Sequence, residues 1–112
     1  MDVKMMLDNL KVAAIASDPA FNVIYINRRG EELFKALLNA ENLVGTNMRS
    51  CHKPETVGKL EKLYQEYQKK ERSLDYYVMD TPAGKATIVN VPFYEDESFA
   101  GVVEFIFESS LA

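Results

Sequence analysis

Apolar residues recur along this chain in two rhythms, one of three to four residues and one of two, and their succession predicts the elements. Val3, Met6, Leu7 and Leu10 recur at helical spacing and predict a short amphipathic helix within residues 1–11. So short a helix is marginal alone and must dock on something. Residues 12–16 read as a buried strand that Asp18-Pro19 ends with turn chemistry. Val23-Ile24-Tyr25-Ile26 is a second strand of strong β propensity, and the short turn between the two predicts an antiparallel hairpin. Asn27 then stands as a helix N-cap, with Glu31 and Glu32 in the first turn, where the macrodipole favours anions. Leu33, Phe34, Leu37 and Leu38 give that helix its expected buried face.

Gly45 breaks the pattern, and a loop or short helical turn runs through Cys51-His52. Pro54 suits a first helical position and Glu55 follows it. Val57, Leu60, Leu63, Tyr64 and Tyr67 mark one face of a longer helix, while Lys62, Glu66 and Lys70 mark a solvated one. The remainder reads as strand over 74–80, 86–94 and 99–107. Turns at Thr81-Pro82-Ala83-Gly84 and through residues 95–98 separate these strands. Thr87, Val89, Val91 and Phe93 share one side of the middle strand. Two strands, a helical middle and a three-stranded meander predict an α+β fold, with a five-stranded antiparallel sheet and helices packed on one face. Residues 12–112 form that domain.

With 112 residues there is room for one core. The net charge of −4 argues against a nucleic-acid module, because Arg28-Arg29 and Lys69-Lys70 are short basic pairs in acidic surroundings. Nothing is long and apolar enough to span a bilayer, and the N-terminus lacks a signal-peptide layout. A single cysteine makes no internal disulfide, so a reducing cytoplasm is expected.

Several local motifs, in their order and spacing, resemble the PAS domain family across nearly the whole chain. Val23-Ile24-Tyr25-Ile26-Asn27 followed by Leu33-Phe34 is similar to the family's second strand, Asn cap and first helix. Leu43-Val44-Gly45 followed by Met48 and His52 is similar to its helical connector, and Gly84-Lys85 to the hairpin before its fourth strand. Val91-Pro92-Phe93-Tyr94-Glu95-Asp96 and Gly101-Val102-Val103-Glu104 resemble its closing hairpin. Cys51-His52-Lys53-Pro54 resembles a subgroup with Cys-His-Pro-Pro before the long helix, found with hemerythrin-like domains; Lys53 replaces the first proline here. The resemblance implies a PAS-like (profilin-like) sensor fold with a cavity between sheet and helices. Relatives bind haem, flavin, small carboxylates or nothing, and usually dimerise through flanking helices. They signal to an output domain such as a histidine kinase, diguanylate cyclase or chemotaxis protein. The homodimer contact is therefore expected at Val3, Met6, Leu7 and Leu10.

Catalysis is not expected. Cys51 and His52 are adjacent, which rarely lets a histidine hold the cysteine proton, and no third group orients the pair. One Cys and one His fall short of a zinc site. Covalent haem needs Cys-x-x-Cys-His, and Met48 stands where the first Cys would be. Haem b would need His52 as its axial ligand, although haem-binding relatives usually place that histidine within the long helix. Flavin photochemistry is disfavoured because residues 45–51 lack an Asn-Cys-Arg run.

The ligand-binding set expected from sequence is His52, Cys51, Met48 and Asn90, in a pocket between the inner sheet face and the connector over residues 43–54. That connector is expected to be the wall least constrained by regular hydrogen bonding. The start of the long helix would favour an anionic group. Asn90 could reach a pocket ligand, yet alternation is read as turning both Asn90 and Glu104 toward solvent. Glu95-Asp96-Glu97 reads as a solvated hairpin tip. Tyr64, Tyr67, Tyr76 and Tyr77 read as packing with hydroxyls at the surface.

Overall fold

The computed structural model describes residues 1–111. Their order is α1 (Val3–Asp8), β1 (Ala13–Ser17), β2 (Val23–Ile26), α2 (Arg28–Leu38), a 3-10 turn (Met48–Cys51), α3 (Pro54–Gln68), β3 (Asp75–Thr81), β4 (Gly84–Glu95) and β5 (Ser98–Phe107). The five strands form one antiparallel sheet in the order β2-β1-β5-β4-β3, so the last strand is its centre. The α+β architecture expected from the pattern is the one observed.

Asn27 sets the strand-to-helix corner. Its side-chain oxygen accepts from Gly30 N at 2.8 Å, capping α2, and from Ala14 N at 2.9 Å in β1. Its amide nitrogen donates to the carbonyls of Leu7 and Val12, at 3.0 and 2.9 Å. A fully buried amide thus joins four backbone groups, from α1, the residue before β1, β1 itself and α2. Gly30 lets α2 lie close to the sheet, since a Cβ there would come within 2.7 Å of the Ile26 side chain.

Three clusters fill the covered face, one of them Ile15, Val23 and Ile26 under the connector with Leu43 and Met48. Under α2, Leu33 and half-buried Phe34 pack on Ala13, Ala86, Ile88 and Ile106. Under α3, Leu63, Tyr64 and Tyr67 pack on Phe21 and Val102, with Phe21 and Tyr64 stacked at 4.2 Å between centroids. Burying each such side chain is worth about 1.5–3 kcal/mol, so these contacts hold both helices to the sheet.

Three sequence expectations change. Leu37 and Leu38 are exposed, at 43% and 68%, because only the first turns of α2 reach the sheet and its last turn overhangs. The hydroxyls of Tyr64 and Tyr67 are inside, bonded to Ser17 Oγ at 2.7 Å and the Asn90 carbonyl at 3.1 Å. Burial pushes both phenols up to about 12. Tyr76 and Tyr77 do stay partly exposed. The connector is also firmer than expected over residues 45–48. Gly45 N donates to Val23 O, Val23 N to Thr46 O and Met48 N to Phe21 O, all at 2.8–2.9 Å, which covers the free edge of β2 at its first residue.

Helix α1 runs for six residues and buries none of them. Tyr25 Oη donates to Asp8 Oδ1 at 2.6 Å, which fastens the helix end to β2, while Val3, Met5 and Met6 remain exposed.

Candidate ligand-binding cleft

Strand register decides what lies between the two helices. Across the covered face, Asp75 pairs with Asn90, Asn90 with Glu104, Glu104 with Ile15 and Ile15 with Ile26. Alternation puts Asn90 in step with Ala86 and Ile88, and Glu104 in step with Val102 and Ile106, all of them in or beside the buried clusters. The expectation that these two polar residues face solvent is therefore corrected. Asn90 is 93% buried, 7% of its surface remaining, and Glu104 is half-buried with the rest of its surface in the cleft.

The cleft over this row has two lobes that share His52, Tyr77 and Glu104. One, about 570 Å³, lies beside α3 and is rimmed by Lys59, Lys62, Glu66 and Arg72, with Asn90 in its floor. The other, about 360 Å³, lies between α2 and the β3–β4 hairpin and is lined by Leu33, Phe34, Leu37, Met79, Ile88 and Ile106. The exposed end of α2 is thus the rim of an apolar pocket.

Neither the Glu104 carboxyl nor the Asn90 side-chain amide has a hydrogen bond or ion pair among the described residues; only the Asn90 backbone carbonyl is used, by Tyr67. No buried side-chain polar atom among the described residues is both sealed and unpaired, so these groups open onto the cleft. Burial raises the Glu104 carboxyl above the usual carboxylate range, and the nearby His52 partly offsets this. Tyr77 is raised as well, first by burial and then by Glu104 and Asp75.

His52 follows the 3-10 turn, and its Nδ1 lies 2.7 Å from the Met48 carbonyl. A carbonyl only accepts, so Nδ1 carries the proton and Nε2 is left uncommitted. Asn47 holds this turn by donating to Ala20 O and Asn22 Oδ1, both at 2.9 Å. Of the residues expected at a site, the structure brings His52, Met48 and Asn90 to the cleft. Cys51 is not brought there: it is exposed, with Sγ 3.9 Å from the Asn47 carbonyl. Glu104 and Tyr77 are the functional candidates that sequence reasoning did not place in the pocket.

Haem b on His52 does not suit these residues. Its apolar face would cover Asn90 and Glu104 and seal a carboxyl from water without a donor, at a cost of several kcal/mol. Among the described residues no three His, Cys, Asp or Glu come together as a metal site, and no helix is long and apolar enough to cross a membrane.

An antiparallel sheet with β5 at its centre, helices on one face and an open cleft beneath them defines a half-covered α+β scaffold. The chain belongs to the PAS domain family, whose family model matches residues 3–109. Solved structures share the fold. A C-terminal domain from Streptococcus mutans superposes with TM-score 0.77 at 17% identity, over 93% of this chain and 80% of that one. The PAS domain of BvgS from Bordetella pertussis gives 0.66 at 12% identity, over 93% and 81%. A sensory box sensor histidine kinase from Vibrio cholerae gives 0.62 at 14% identity, over 94% and 86%. No curated protein matches the chain.

Proposed function

We propose that this PAS domain is a noncatalytic sensory module that takes a small molecule in the cleft over Asn90 and Glu104. Its occupancy is relayed through contacts between two copies to an output domain, of which a histidine kinase is the kind its structural neighbours come from. The observation that carries this reading is the pair Asn90 and Glu104. They are directly opposed on the covered face, their polar groups unpaired, beneath a cleft about 570 Å³ in volume. A core built only for packing would place apolar residues there, because an uncompensated buried polar group costs stability. The relay is assigned to α1, whose Val3 and Met6 stand exposed.

A fragment screen read by amide ¹H–¹⁵N shifts tests the site. Hits that move the amides of Asn90, Glu104 and His52 support it, and hits confined to other surfaces refute it. Sedimentation of the chain against a Val3→Lys/Met6→Lys variant, which keeps the Asn27 and Tyr25 bonds to α1, tests the relay. A dimer that the variant converts to monomer supports it, and a monomer in both overturns it.

A further inference from the structure

We propose that the ligand of this cleft is an organic cation, an amine, amidine or guanidine whose N–H groups sit on Glu104, Asn90 and His52 while an apolar body fills the lobe between α2 and β3–β4. This rests on the reading of the cleft as a small-molecule site and adds the chemical class.

The floor is rich in acceptors and short of donors. Glu104 offers carboxylate oxygens, Asn90 offers Oδ1, and His52, with Nδ1 committed to Met48 O, offers Nε2. Beside these acceptors on the floor the donors are the Asn90 amide nitrogen and the Tyr77 hydroxyl, while Thr56, Lys59, Lys62 and Arg72 line the wall and rim. Among the described residues no lysine or arginine pairs with the carboxyl, and His52, the charge that partly offsets its burial, makes no hydrogen bond to it. Arg72 is drawn to Asp75 at 3.1 Å and Glu66 at 3.6 Å, and Lys59 and Lys62 are exposed at the rim without an ion pair.

An anionic ligand would meet the unpaired Glu104 carboxyl on the floor, while Lys59 and Lys62, which would favour it, are exposed at the rim of the same lobe and Arg72 there is held by Asp75 and Glu66. A neutral apolar ligand would close the carboxyl off from water without a partner, which is the costly arrangement. A cationic N–H group removes that cost and forms the stronger, charge-assisted kind of hydrogen bond. The second lobe then fixes the rest of the molecule. Leu33, Phe34, Met79, Ile88 and Ile106 present an apolar wall that meets the floor at Glu104, so the charged head and the apolar body must be directly joined. The charge preference is opposite to the one expected from the start of α3, whose N-cap Lys53 and first residues Pro54 and Glu55 are exposed and outside both lobes, Thr56 being the one residue of that turn in the lining.

The test is a titration of the ¹⁵N-labelled chain with three matched probes: 2-phenylethylamine, 2-phenylethanol and 3-phenylpropanoate. The amine is expected to shift the amides of Asn90, Glu104 and Ile106 and to bind roughly tenfold or more tightly than the other two. Glu104→Gln keeps the shape of the side chain and is expected to bring the amine down to the affinity of the alcohol, with the alcohol itself unchanged. An alcohol or anion that binds these amides as tightly as the amine overturns the charge assignment and leaves the cleft reading standing. An amine preference that survives Glu104→Gln also overturns it. If none of the probes moves these amides in a folded spectrum, the assignment and the cleft reading both fall.

Discussion

Asn27→Ala removes one buried side chain and four hydrogen bonds, so its cost can be worked from the structure. Loss of the cap on Gly30 N accounts for about 0.5–2 kcal/mol. The Ala14 amide, in a strand buried along its whole length, then loses the Asn27 oxygen, for roughly 1–3 kcal/mol more. The carbonyls of Leu7 and Val12 lose a donor in a partly exposed setting and add little. The expected total is about 2–5 kcal/mol, out of roughly 5–15 for a domain of this kind. That corresponds to a fall in melting temperature of roughly 10–20 °C. Urea unfolding followed by circular dichroism measures the first quantity and thermal unfolding the second. Asn27→Ser separates the contributions, because a serine can still cap Gly30 but is too short to reach Ala14, Leu7 and Val12 together. It should recover only the cap. A loss below ~1 kcal/mol for the alanine variant, or full recovery by serine, would refute the claim that this amide ties α1, β1 and α2.

Two further outcomes follow from the same geometry. At Gly101 φ is +153°, and a Cβ there would collide with the Ser17 carbonyl and come within 2.7 Å of the Phe93 ring; Gly101→Ala should cost about 2–3 kcal/mol in chemical denaturation, and a variant as stable as the parent would contradict this packing of β5. Burial holds the folded Glu104 carboxyl above its ordinary value of 4.5, so between the two values the folded state keeps a proton that the unfolded chain has lost, and stability falls as pH rises. Glu104→Gln removes that contribution, so its advantage in unfolding free energy should widen from about pH 4.5 upward and level off once the folded carboxyl has ionised; an advantage that stays constant across this range counts against a buried Glu104.

Much of the frame was legible because local chemistry and tertiary placement agree. Asn27 is a cap by residue type and by position, Pro54 opens α3, and Leu63, Tyr64 and Tyr67 recur on one face and are buried there. The legibility ends where an element outruns its partner. Leu37 and Leu38 continue the apolar period of α2, but an open lobe separates them from β3–β4, so the period was right and the burial was not. Tyrosine hydroxyls were misjudged for a related reason. Whether a phenol reaches water depends on what stands across from it, and Ser17 lies 47 positions from Tyr64 in the chain.

The floor of the cleft was hidden by register and by apolarity on both faces. The closing hairpin pairs Glu95 with Ser98 and Tyr94 with Phe99, a pattern that would run on to set Asn90 opposite Val103. A bulge opposite the Phe93–Tyr94 step, with Ala100 of β5 as the extra residue, shifts the register by one, so that Asn90 meets Glu104 and two polar residues become neighbours on one face. The one sequence signal of that bulge is Gly101, a glycine inside the strand at positive φ beside the extra residue. The other face carries Val89, Val91, Val103, Phe105 and Phe107, a more apolar set, which argues from alternation alone that the helices should cover that side. They cover the opposite one, and Val91 is left exposed with its neighbours half-buried. A half-covered sheet ordinarily keeps its polar residues on the open side and its apolar ones inside. Here the polar pair lies inside with no partner and the open side is apolar. An unpaired carboxyl is stabilised by a group that enters from outside, and an apolar open face by a surface that covers it. The first of those departures is the physical ground for proposing a ligand on the covered face of the sheet.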